Sequence, residues 1–592
     1  MNKQALISKI KKLDGVTQDE RAYLINLVNT KKKYGLVWED KPEDVEEQLR
    51  NNLPVLKEIK DKAIINGEDN PNHILIEGDN LHALTALTFT HEGAIDVIYI
   101  DPPYNTGNKD FKYNDTFVDK EDSYRHSKWL SFMDKRLRIA KRLLSEKGII
   151  FISIDDYEQA TLKLLCDEIF TEMNFVGNIV WQRAYSPINL KKTISQNHDF
   201  ILIYCKQEFS TLELNKLPRT EEANKRYKNP DNDERGNWKS SDLSVGPAVE
   251  KNIYEISTPT GRKVMPPKGY SWRLSEDRLA EFISENRIWF GPKGDATPSI
   301  KRFITEVKEG IVAMSLWTYQ EVGHTQDAKR ELKEVLHENE RPFETVKPLK
   351  LIDRILKLTT DNKKSYTILD FFAGSGTTLH ATMALNAEDG GNRQCILVTN
   401  NENNICEEVT YERNKRVIEG YTNAKDVAVA GLKNNNLRYF KADYVGRTKS
   451  LKNKKELTKL ATELLCIKED CYNPSPLTPE SETKKVAVFD DHKTQLVVIY
   501  DDVFIGDSIE IIKKLKENQK TDSRIKVYVF CNGQYPYTED FDEVADFVEL
   551  CALPDAIYKA YQNVLPKTKR QIVPTLDDDE TTDENLFNQS NS

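Results

Sequence analysis

The chain contains 592 residues, of which 30% are charged and 39% hydrophobic, and its formal net charge at pH 7 is −10. One hydrophobic core rarely extends over so many residues, so we expect about three or four domains. Residues 1–12 hold no apolar signal segment, and no apolar run approaches the ~20 residues of a membrane helix, so we expect a cytoplasmic protein without a membrane segment. The eight cysteines form no Cys-x-x-Cys pair, so we expect neither a disulfide framework nor a metal site.

Residues 1–70 are rich in charge and predict a helical N-terminal arm. From His73 onward the pattern changes to alternating strands and helices, which predicts an α/β fold. The periodicity predicts strands over 73–77, 95–100, 149–154 and 199–204, and a helix over 129–144. We assign residues 71–205 to the first half of one sheet domain.

Residues 206–340 are rich in Pro, Gly and charge and show no sustained periodicity, so we interpret them as an insertion into that domain. A second group of elements is predicted over 349–358, 366–369, 379–385 and 395–399, and we assign 341–435 to the other half of the sheet.

Beyond the sheet domain, the predicted elements are strands at 486–489, 495–500 and 525–530 and helices at 508–515 and 552–564. They predict a small α/β domain over 440–570. The last segment, 571–592, carries six Asp or Glu residues between 577 and 584, which is typical of a disordered acidic tail.

The sequence Asp101-Pro102-Pro103-Tyr104 follows the predicted buried strand 95–100. Open α/β sheets bind ligands at the carboxyl ends of their strands. The Asp101 carboxylate and the Pro102 carbonyl can each accept one hydrogen of an exocyclic amino group, and Tyr104 offers a flat face to a purine base. An ordinary turn at the end of a strand is the alternative, since Asp and Pro both favour turns.

A second motif, Asp370-Phe371-Phe372-Ala373-Gly374-Ser375-Gly376-Thr377-Thr378, lies between a predicted strand and a predicted helix. A glycine-rich turn at this place lets the backbone approach a nucleotide-type ligand, and the helix directs its first N–H groups toward it. No lysine follows Gly376, which argues against a phosphate-binding P-loop, and the third glycine of the dinucleotide fingerprint is missing.

Basic and aromatic residues alternate between Lys251 and Arg302, where ten Lys and Arg face six Asp and Glu. This composition is typical of a nucleic-acid surface, and a solvated surface over buried tryptophans is the alternative. The residues that we consider for DNA binding are Arg262, Lys263, Arg273, Arg278, Arg287, Lys301 and Arg302.

At these two motifs the chain resembles the S-adenosylmethionine-dependent amino-methyltransferases of DNA. The catalytic tetrapeptide precedes the cofactor glycines, as in the circularly permuted Rossmann-like sheet of β-class N6-adenine methyltransferases. The resemblance is closest to the modification (Mod) subunits of Type III restriction–modification systems. Further matching segments are 33–40, 77–81, 266–273 and Lys347-Pro348.

This resemblance implies a site-specific adenine methyltransferase that takes its methyl group from S-adenosylmethionine and acts on an adenine flipped out of double-stranded DNA. It assigns target recognition to 206–340. Asp79 would meet the adenine of the cofactor, Lys347-Pro348 would close over its methionine part, and Glu402, displaced from the usual position by Asn400-Asn401, would hold its ribose. The cofactor residues implied in this way are Asp79, Asn80, Lys347, Pro348, Asp370, Phe372, Ala373, Gly374, Ser375, Gly376, Thr377 and Glu402.

The resemblance also implies a homodimer in which one copy reads the DNA while the other methylates it, and a helicase–nuclease restriction subunit as a further partner. The N-terminal arm and the C-terminal domain are the expected contact regions. A solitary or Type II β-class methyltransferase is an alternative. A cytosine-N4 methyltransferase is another, although such enzymes usually carry Ser in place of Asp101. Methylation at cytosine carbon needs a Pro-Cys nucleophile, which this chain lacks. A third alternative is a non-enzymatic DNA-binding or scaffold subunit. Degraded motifs would favour it, and both motifs are intact.

Overall fold

The computed structural model describes residue 10 and residues 36–566, apart from 109, 188, 208, 220, 307–309, 337–345, 478–484, 492, 520–522 and 532–534 and the side chains of 222 and 223. The chain divides into two compact units. The larger unit comprises Met1–Glu213 and Ser315–Ser592, and the smaller unit comprises Leu214–Met314. No helix in the described residues combines the length and the apolar composition that crossing a bilayer requires.

The first part of the larger unit alternates strands and helices. Its elements are α1 (Asp44–Asn51), β1 (Asn52–Glu58), β2 (Asn72–Glu77), α2 (Asn80–His91), β3 (Ile95–Ile100), β4 (Lys112–Tyr113), β5 (Thr116–Phe117), α3 (Arg125–Leu143), β6 (Leu144–Ile154), α4 (Gln159–Phe170), β7 (Phe175–Gln182) and β8 (His198–Cys205).

The smaller unit is built from short strands around its own apolar core. Its elements are α5 (Glu221–Lys225), β9 (Trp238–Asp242), β10 (Ser244–Val245), β11 (Ile256–Ser257), β12 (Lys263–Val264), β13 (Ser271–Trp272), α6 (Glu276–Ser284), β14 (Ile288–Trp289) and β15 (Ser299–Phe303). Strands β14, β15 and β9 form an antiparallel sheet. Leu243, Trp272 and Ile300 belong to the core beneath these strands.

The chain then returns to the larger unit. The elements that complete its large sheet are β16 (Leu316–Trp317), α7 (Tyr319–Val322), α8 (Thr325–Leu336), α9 (Leu349–Thr359), β17 (Ser365–Asp370), α10 (Thr377–Asp389), β18 (Asn392–Thr399), α11 (Glu412–Glu419), β19 (Gly420–Thr422), β20 (Ala428–Ala430) and β21 (Asn436–Gly446). The C-terminal elements are α12 (Leu451–Leu460), α13 (Thr462–Glu469), β22 (Val486–Asp490), β23 (Gln495–Ile499), α14 (Ile505–Asn518), β24 (Ile525–Phe530), β25 (Val548–Leu553) and α15 (Asp555–Tyr561).

Ten of the described strands form one mixed sheet in the order β1-β21-β2-β18-β17-β3-β6-β8-β7-β16. The strands from β21 to β6 run parallel, and β3 and β17 pair through Val97 with Ile368 and Ile98 with Leu369. A continuous apolar run such as Ile95–Ile100 suits this position because both faces of a central parallel strand are covered. The predicted α/β fold is confirmed, and the insertion separates the two halves in sequence without dividing the sheet.

The predicted domain boundaries change at both ends of the insertion and at both ends of the sheet. Strand β1 lies within the predicted helical arm of 1–70 and pairs with β21 at the edge of the sheet. The insertion shrinks from 206–340 to Leu214–Met314, because β16 pairs with β7 and α8 buries apolar residues in the larger unit. The C-terminal boundary moves past 440, since β21 extends to Gly446.

Two further predictions concern the C-terminal part. Residues 552–564 were expected to form one helix, but strand β25 runs to Leu553 and α15 begins only at Asp555. Residues 552 and 553 join the strand because β25 pairs in parallel with β24, whose apolar, β-branched and aromatic residues favour a neighbouring strand. The predicted tail 571–592 lies outside the described residues, as do residues 1–9 and 11–35 of the predicted arm.

The C-terminal elements pack on the large sheet rather than standing apart. Helices α13 and α15 pack against α2. Leu465, Leu553 and Ile557 belong to the same apolar cluster as Leu84 and Leu87 of α2. Two helices of this part therefore complete the cover over one face of the large sheet.

A pair of tyrosines in α15 tests this packing. The buried Tyr561 hydroxyl donates a 2.9 Å hydrogen bond to the Pro54 carbonyl of β1, whereas the buried Tyr558 hydroxyl has no hydrogen-bond partner in the described part of the chain. We expect Tyr561→Phe to lower the free energy of unfolding by about 1–3 kcal/mol and Tyr558→Phe to leave it unchanged. Urea unfolding of both variants measures the difference, and equal losses would contradict the role given to the Tyr561 hydrogen bond.

Candidate active site

Two carboxylates lie at the carboxyl edge of neighbouring strands. Asp101 follows β3 directly and Asp370 ends β17, and these strands are adjacent in the sheet. Asp370 is buried, and it accepts hydrogen bonds from the Phe372 amide (3.0 Å) and the Thr378 hydroxyl (2.6 Å). The side chain that the sequence assigned to cofactor binding therefore holds the glycine turn in shape.

The glycine turn needs its glycines for two different reasons. Gly374 and Gly376 both have positive φ angles, +49° and +72°, which favour glycine. A Cβ at Gly376 would also overlap the Asn414 side-chain amide and lie 3.1 Å from the Thr410 side chain. These residues belong to the π-helix Ile405–Tyr411 and to α11, so at Gly376 the missing side chain makes room for the protein behind the turn.

Arg413 of α11 supports the same turn and was not identified from the sequence. Its guanidinium is buried and donates to the Ser375 carbonyl (3.2 Å), the Ser375 hydroxyl (3.1 Å) and the Thr377 hydroxyl (2.7 Å). Burial lowers the pKa of Arg413 to about 10. Because Ser375 and Thr377 turn toward Arg413, their side chains and the Ser375 carbonyl fix the turn.

The tetrapeptide carries a compact set of polar contacts. Tyr104 donates a 2.8 Å hydrogen bond to Asp101 Oδ1, and burial together with the nearby Asp101 carboxylate raises the pKa of Tyr104. Lys347 Nζ contacts Asp101 Oδ2 and donates to the Tyr104 hydroxyl at 3.0 Å. Trp129 Nε1 donates to the Pro103 carbonyl at 2.7 Å and so holds the proline turn. Lys347, which the resemblance assigns to cofactor binding, has its ammonium group on the Asp101 carboxylate in this structure.

The residue after the tetrapeptide, Asn105, is a further site residue that the sequence analysis missed. It is fully buried with φ = +57°, a conformation that Asn tolerates better than most residues. Its amide donates to Glu158 at 2.6 Å, and His126 lies 2.6 Å from the same carboxylate oxygen. The only sequence signal for this site residue was its position directly after Tyr104. Its role was not predictable from sequence, because its buried partner Glu158 lies 53 residues further along the chain.

After strand β2, which is separated from β17 by β18, the predicted cofactor residues Asp79 and Asn80 begin α2. Asp79 Oδ1 accepts from the Leu81 amide at 2.7 Å and caps the helix, while its side chain remains 45% exposed. Buried Arg136 lies with Nη2 3.5 Å from Asp79 Oδ2 and donates to Asn80 Oδ1. Its guanidinium also stacks 3.6 Å above the Phe132 ring. Arg136, which sequence analysis did not single out, thus orients the exposed carboxylate.

The remaining predicted cofactor residues lie near the same edge or begin a helix beside it. Pro348 precedes α9 directly. Glu402 follows β18, and its half-exposed carboxylate pairs with Lys112 at 2.6 Å. Phe372 packs 5.9 Å from Phe132 between ring centroids. The structure therefore leaves Asp79, Phe372 and the backbone of the glycine turn as surfaces for a ligand.

In the smaller unit, burial separates the predicted DNA-binding residues into two groups. Lys301 is 1% exposed and pairs with Asp231 and Asp233 under the Trp238 ring, so its prediction as a DNA contact is wrong for this conformation. Trp272 is also buried, which supports the alternative of buried tryptophans at this position. The other predicted residues, Arg262, Lys263, Arg273, Arg278, Arg287 and Arg302, lie at least partly on the surface.

The pH dependence of stability tests the burial of Asp370. Burial raises the pKa of Asp370 to about 7, whereas an unfolded Asp titrates near ~4. The protonated form is therefore favoured by folding, and its contribution is fully present below about pH 4 and is lost as the pH rises through about 7. Between about pH 5 and 8, wild type should lose about 1–3 kcal/mol more stability than Asp370→Asn, which keeps an oxygen for the Phe372 amide. Urea unfolding across this range measures both proteins, and parallel curves would contradict the assignment.

Comparison with known proteins places this site in a family. Residues 95–423, which contain both motifs, match the N6_N4_Mtase family model, described as DNA methylase. The Mod subunit of the Type III restriction–modification enzyme StyLTI from Salmonella typhimurium is 36% identical over 354 residues, which cover 56% of this chain and 52% of that subunit. The EcoP15I Mod subunit from Escherichia coli is 30% identical over 461 residues, covering 67% of this chain and 68% of that subunit.

A Type II enzyme is also similar: methyltransferase M.KpnI from Klebsiella pneumoniae is 32% identical over 378 residues, covering 60% of this chain and 87% of that enzyme. The match to the StyLTI subunit spans about half of that subunit's length. The family model covers more than half of the present chain, from strand β3 to beyond the glycine turn. The chain therefore belongs to this family of DNA methylases.

Proposed function

We propose that the chain transfers a methyl group from S-adenosylmethionine to the exocyclic N6 of an adenine in double-stranded DNA. The observation that carries this proposal is the parallel pairing of β3 with β17, through Ile98 and Leu369. It brings a hydrogen-bond acceptor for an amino group, Asp101, beside a glycine turn suited to a nucleoside-type cofactor. The match to the DNA methylase family supports the same reaction.

The residues at the edge of the sheet fit S-adenosylmethionine. The half-exposed Asp79 carboxylate suits a polar part of its adenosine, Phe372 offers an apolar face, and the turn at Gly374 exposes backbone where α10 begins. The helix N-terminus favours a negatively charged group such as the carboxylate of a methionine moiety. When bound, the cofactor supplies a methyl group on a positively charged sulfur, which keeps the electron pair of the broken carbon–sulfur bond.

Asp101 and Pro102 prepare the amino nitrogen of the adenine. Its lone pair is delocalised into the ring, and hydrogen bonds from its two hydrogens to the Asp101 carboxylate and the Pro102 carbonyl make that pair available for the new nitrogen–carbon bond. The nitrogen then releases one proton, which Asp101 is placed to accept and pass to water. Tyr104 stacks on the base, which offsets part of the cost of leaving the duplex.

Lys347 controls the catalytic carboxylate in this proposal. Its ammonium and the Tyr104 hydroxyl together hold Asp101 in one orientation. An incoming adenine amino group replaces one of these contacts, so the carboxylate is already oriented when the base arrives. Such preorganisation favours transfer over mere binding.

We prefer adenine over cytosine as the substrate because the cytosine-N4 enzymes among the amino-methyltransferases of DNA usually carry Ser at the position of Asp101. The smaller unit, Leu214–Met314, is proposed to read the target sequence, with contacts drawn from its surface Arg and Lys residues. These residues are Arg262, Lys263, Arg273, Arg278, Arg287 and Arg302. Lys301 is left out because it is buried.

The names of two relatives support a proposal about assembly. Both StyLTI and EcoP15I Mod proteins are subunits of Type III restriction–modification enzymes. We propose that this chain is likewise the modification subunit of such a system, acting as a homodimer with a restriction subunit as partner. The match to a Type II methyltransferase keeps a solitary enzyme as the second candidate.

The reaction is tested with Asp101→Ala. We expect purified wild type to form N6-methyladenine in unmethylated genomic DNA, and the variant to be at least about 10²-fold slower because it lacks the acceptor for the amino group. Mass spectrometry of the digested nucleosides measures the product, and calorimetry should show unchanged cofactor binding by the variant. N4-methylcytosine as the product, or normal turnover by the variant, would contradict the proposal.

The role of Lys347 is tested by separating binding from turnover. With Lys347→Met we expect the dissociation constant for S-adenosylmethionine to stay within about twofold, while kcat falls at least about tenfold because Asp101 loses its orientation. Lys350→Met, at an exposed lysine in the first turn of α9, is the matched control and should behave as wild type. If Lys347→Met instead weakens cofactor binding and keeps kcat at saturating cofactor, Lys347 binds the cofactor as the sequence motif suggested.

A further inference from the structure

The connection between β7 and β8, residues 183–197, leaves the sheet at the same edge as Asp101. Strand β8 pairs antiparallel with β6, with Phe200 opposite Ile154, and β7 ends at Gln182 opposite His198. Strand β6 in turn pairs in parallel with β3, up to Ile152 opposite Ile100. Residues 183–187 and 189–197 therefore project beyond the carboxyl ends of β3 and β6, where the tetrapeptide begins.

The base of this connection is firmly held. The Arg183 and Ala184 amides donate to the Asn197 carbonyl at 3.0 and 3.2 Å. Arg183 pairs with the buried Asp199 at 2.8 Å. Gln196 donates to Asp156, just after β6, at 2.8 Å. These contacts close the base of the connection at the carboxyl end of β6.

A stack of rings adds to this support. The Tyr185 ring lies 5.7 Å from the His324 ring and 5.8 Å from the Tyr319 ring, measured between centroids. Tyr319 begins α7 of the larger unit, and His324 follows that helix. The connection therefore has a rigid base on two sides.

Its tip is apolar, basic and exposed. Leu190 is 95% exposed and Ile194 is 81% exposed, and the exposed Lys191 and Lys192 lie between them. Single exposed aliphatic residues are common. Here two of them flank a lysine pair at the tip of a connection whose base is held by hydrogen bonds, so together they form a protruding surface. Residues 183–197 carry three Lys or Arg and no Asp or Glu, in a chain whose net charge is −10.

These features suit a DNA duplex. Positive charge at the tip complements phosphates, and aliphatic side chains are the kind that enter a base stack and separate neighbouring bases. An adenine that leaves the duplex for Asp101 creates a gap in the stack within reach of this edge. A surface for a protein partner would not require a charge of one sign around the apolar side chains.

We propose that residues 183–187 and 189–197 form a DNA wedge: Leu190 and Ile194 fill the space that the target adenine leaves, and Lys191 and Lys192 hold the adjoining phosphates. The wedge rests on the proposed adenine methylation and adds to it the group that extrudes the base. Its position is set by the pinned base of the connection, so the apolar tip and the Asp101 carboxylate act on the same nucleotide from two sides.

The wedge is tested with the full chain and the double variant Leu190→Ala/Ile194→Ala. Two duplexes carry the methylated sequence that is read from genomic DNA, one with the target adenine paired to thymine and one with an abasic site opposite it. We expect kcat/KM of the variant to fall at least about tenfold on the paired duplex and to stay within about threefold of wild type on the duplex whose adenine is already unpaired. The fluorescence of 2-aminopurine at the target position should rise with wild type and not with the variant.

Met173→Ala is the matched control. Met173 is also a strongly exposed apolar residue (74%), but it lies just before β7 begins, at the opposite edge of the sheet. It should behave as wild type on both duplexes. Because all three side chains are exposed, unchanged melting temperatures are expected and separate these effects from misfolding.

The lysine pair has its own readout. Lys191→Gln/Lys192→Gln should reduce the slope of log K for DNA binding against log salt concentration by about two, because each phosphate contact contributes ~0.9. An unchanged slope would overturn the phosphate contacts. Equal activity losses of Leu190→Ala/Ile194→Ala on both duplexes, or no loss on either, would overturn the wedge and leave the tip to a protein partner. Failure of the proposed function would look different, since wild type itself would then form no N6-methyladenine.

Discussion

The site depends on the parallel pairing of β3 with β17. Asp96 and Thr367 are 271 residues apart, yet the Thr367 amide donates to the Asp96 carboxylate at 3.0 Å. Once these two strands are neighbours, Asp101 and the glycine turn must lie side by side, since parallel strands end at the same edge of a sheet. The insertion between them can then vary in length and sequence without moving the reacting groups relative to each other.

Buried charged side chains hold the loops around this edge. Arg413 fixes the glycine turn, Arg136 orients the start of α2, and Glu158 holds the residue after the tetrapeptide. Removing such charges from water is costly, and each one recovers part of that cost through several hydrogen bonds. The result is a set of loops whose geometry is fixed by contacts within the protein, which suits the proposed transfer between two bound groups.

Negative and positive charges are concentrated in different parts of the molecule. Several carboxyl groups lie near the edge of the sheet that carries Asp101, and burial raises the pKa of Asp155 and of Asp370 to about 7. Lys347 lies on Asp101, and Arg183 pairs with Asp199, so cations balance the carboxylates nearest to the tetrapeptide. The exposed Lys191 and Lys192 of the proposed wedge add positive charge just outside. A chain with a net charge of −10 can therefore present a surface suited to DNA.

The sequence by itself determined the local elements and the chemistry of both motifs. Strands 95–100 and 525–530 have the predicted bounds, because short runs dominated by apolar, β-branched and aromatic residues predict strands locally. The tetrapeptide and the glycine turn were recognisable because their residue types serve a reaction within a few neighbouring positions. The family relationship followed from the same short segments.

Tertiary structure alone decided which residues distant in sequence contact each other. It placed Lys347 on Asp101, buried Lys301 among Asp231 and Asp233, and set Gly376 against Asn414. It also turned part of the predicted helical arm into an edge strand, since β1 is stabilised by pairing with β21 almost at the other end of the domain. Each of these outcomes depends on contacts between residues far apart in the chain, and local periodicity and residue type contain no information about such partners.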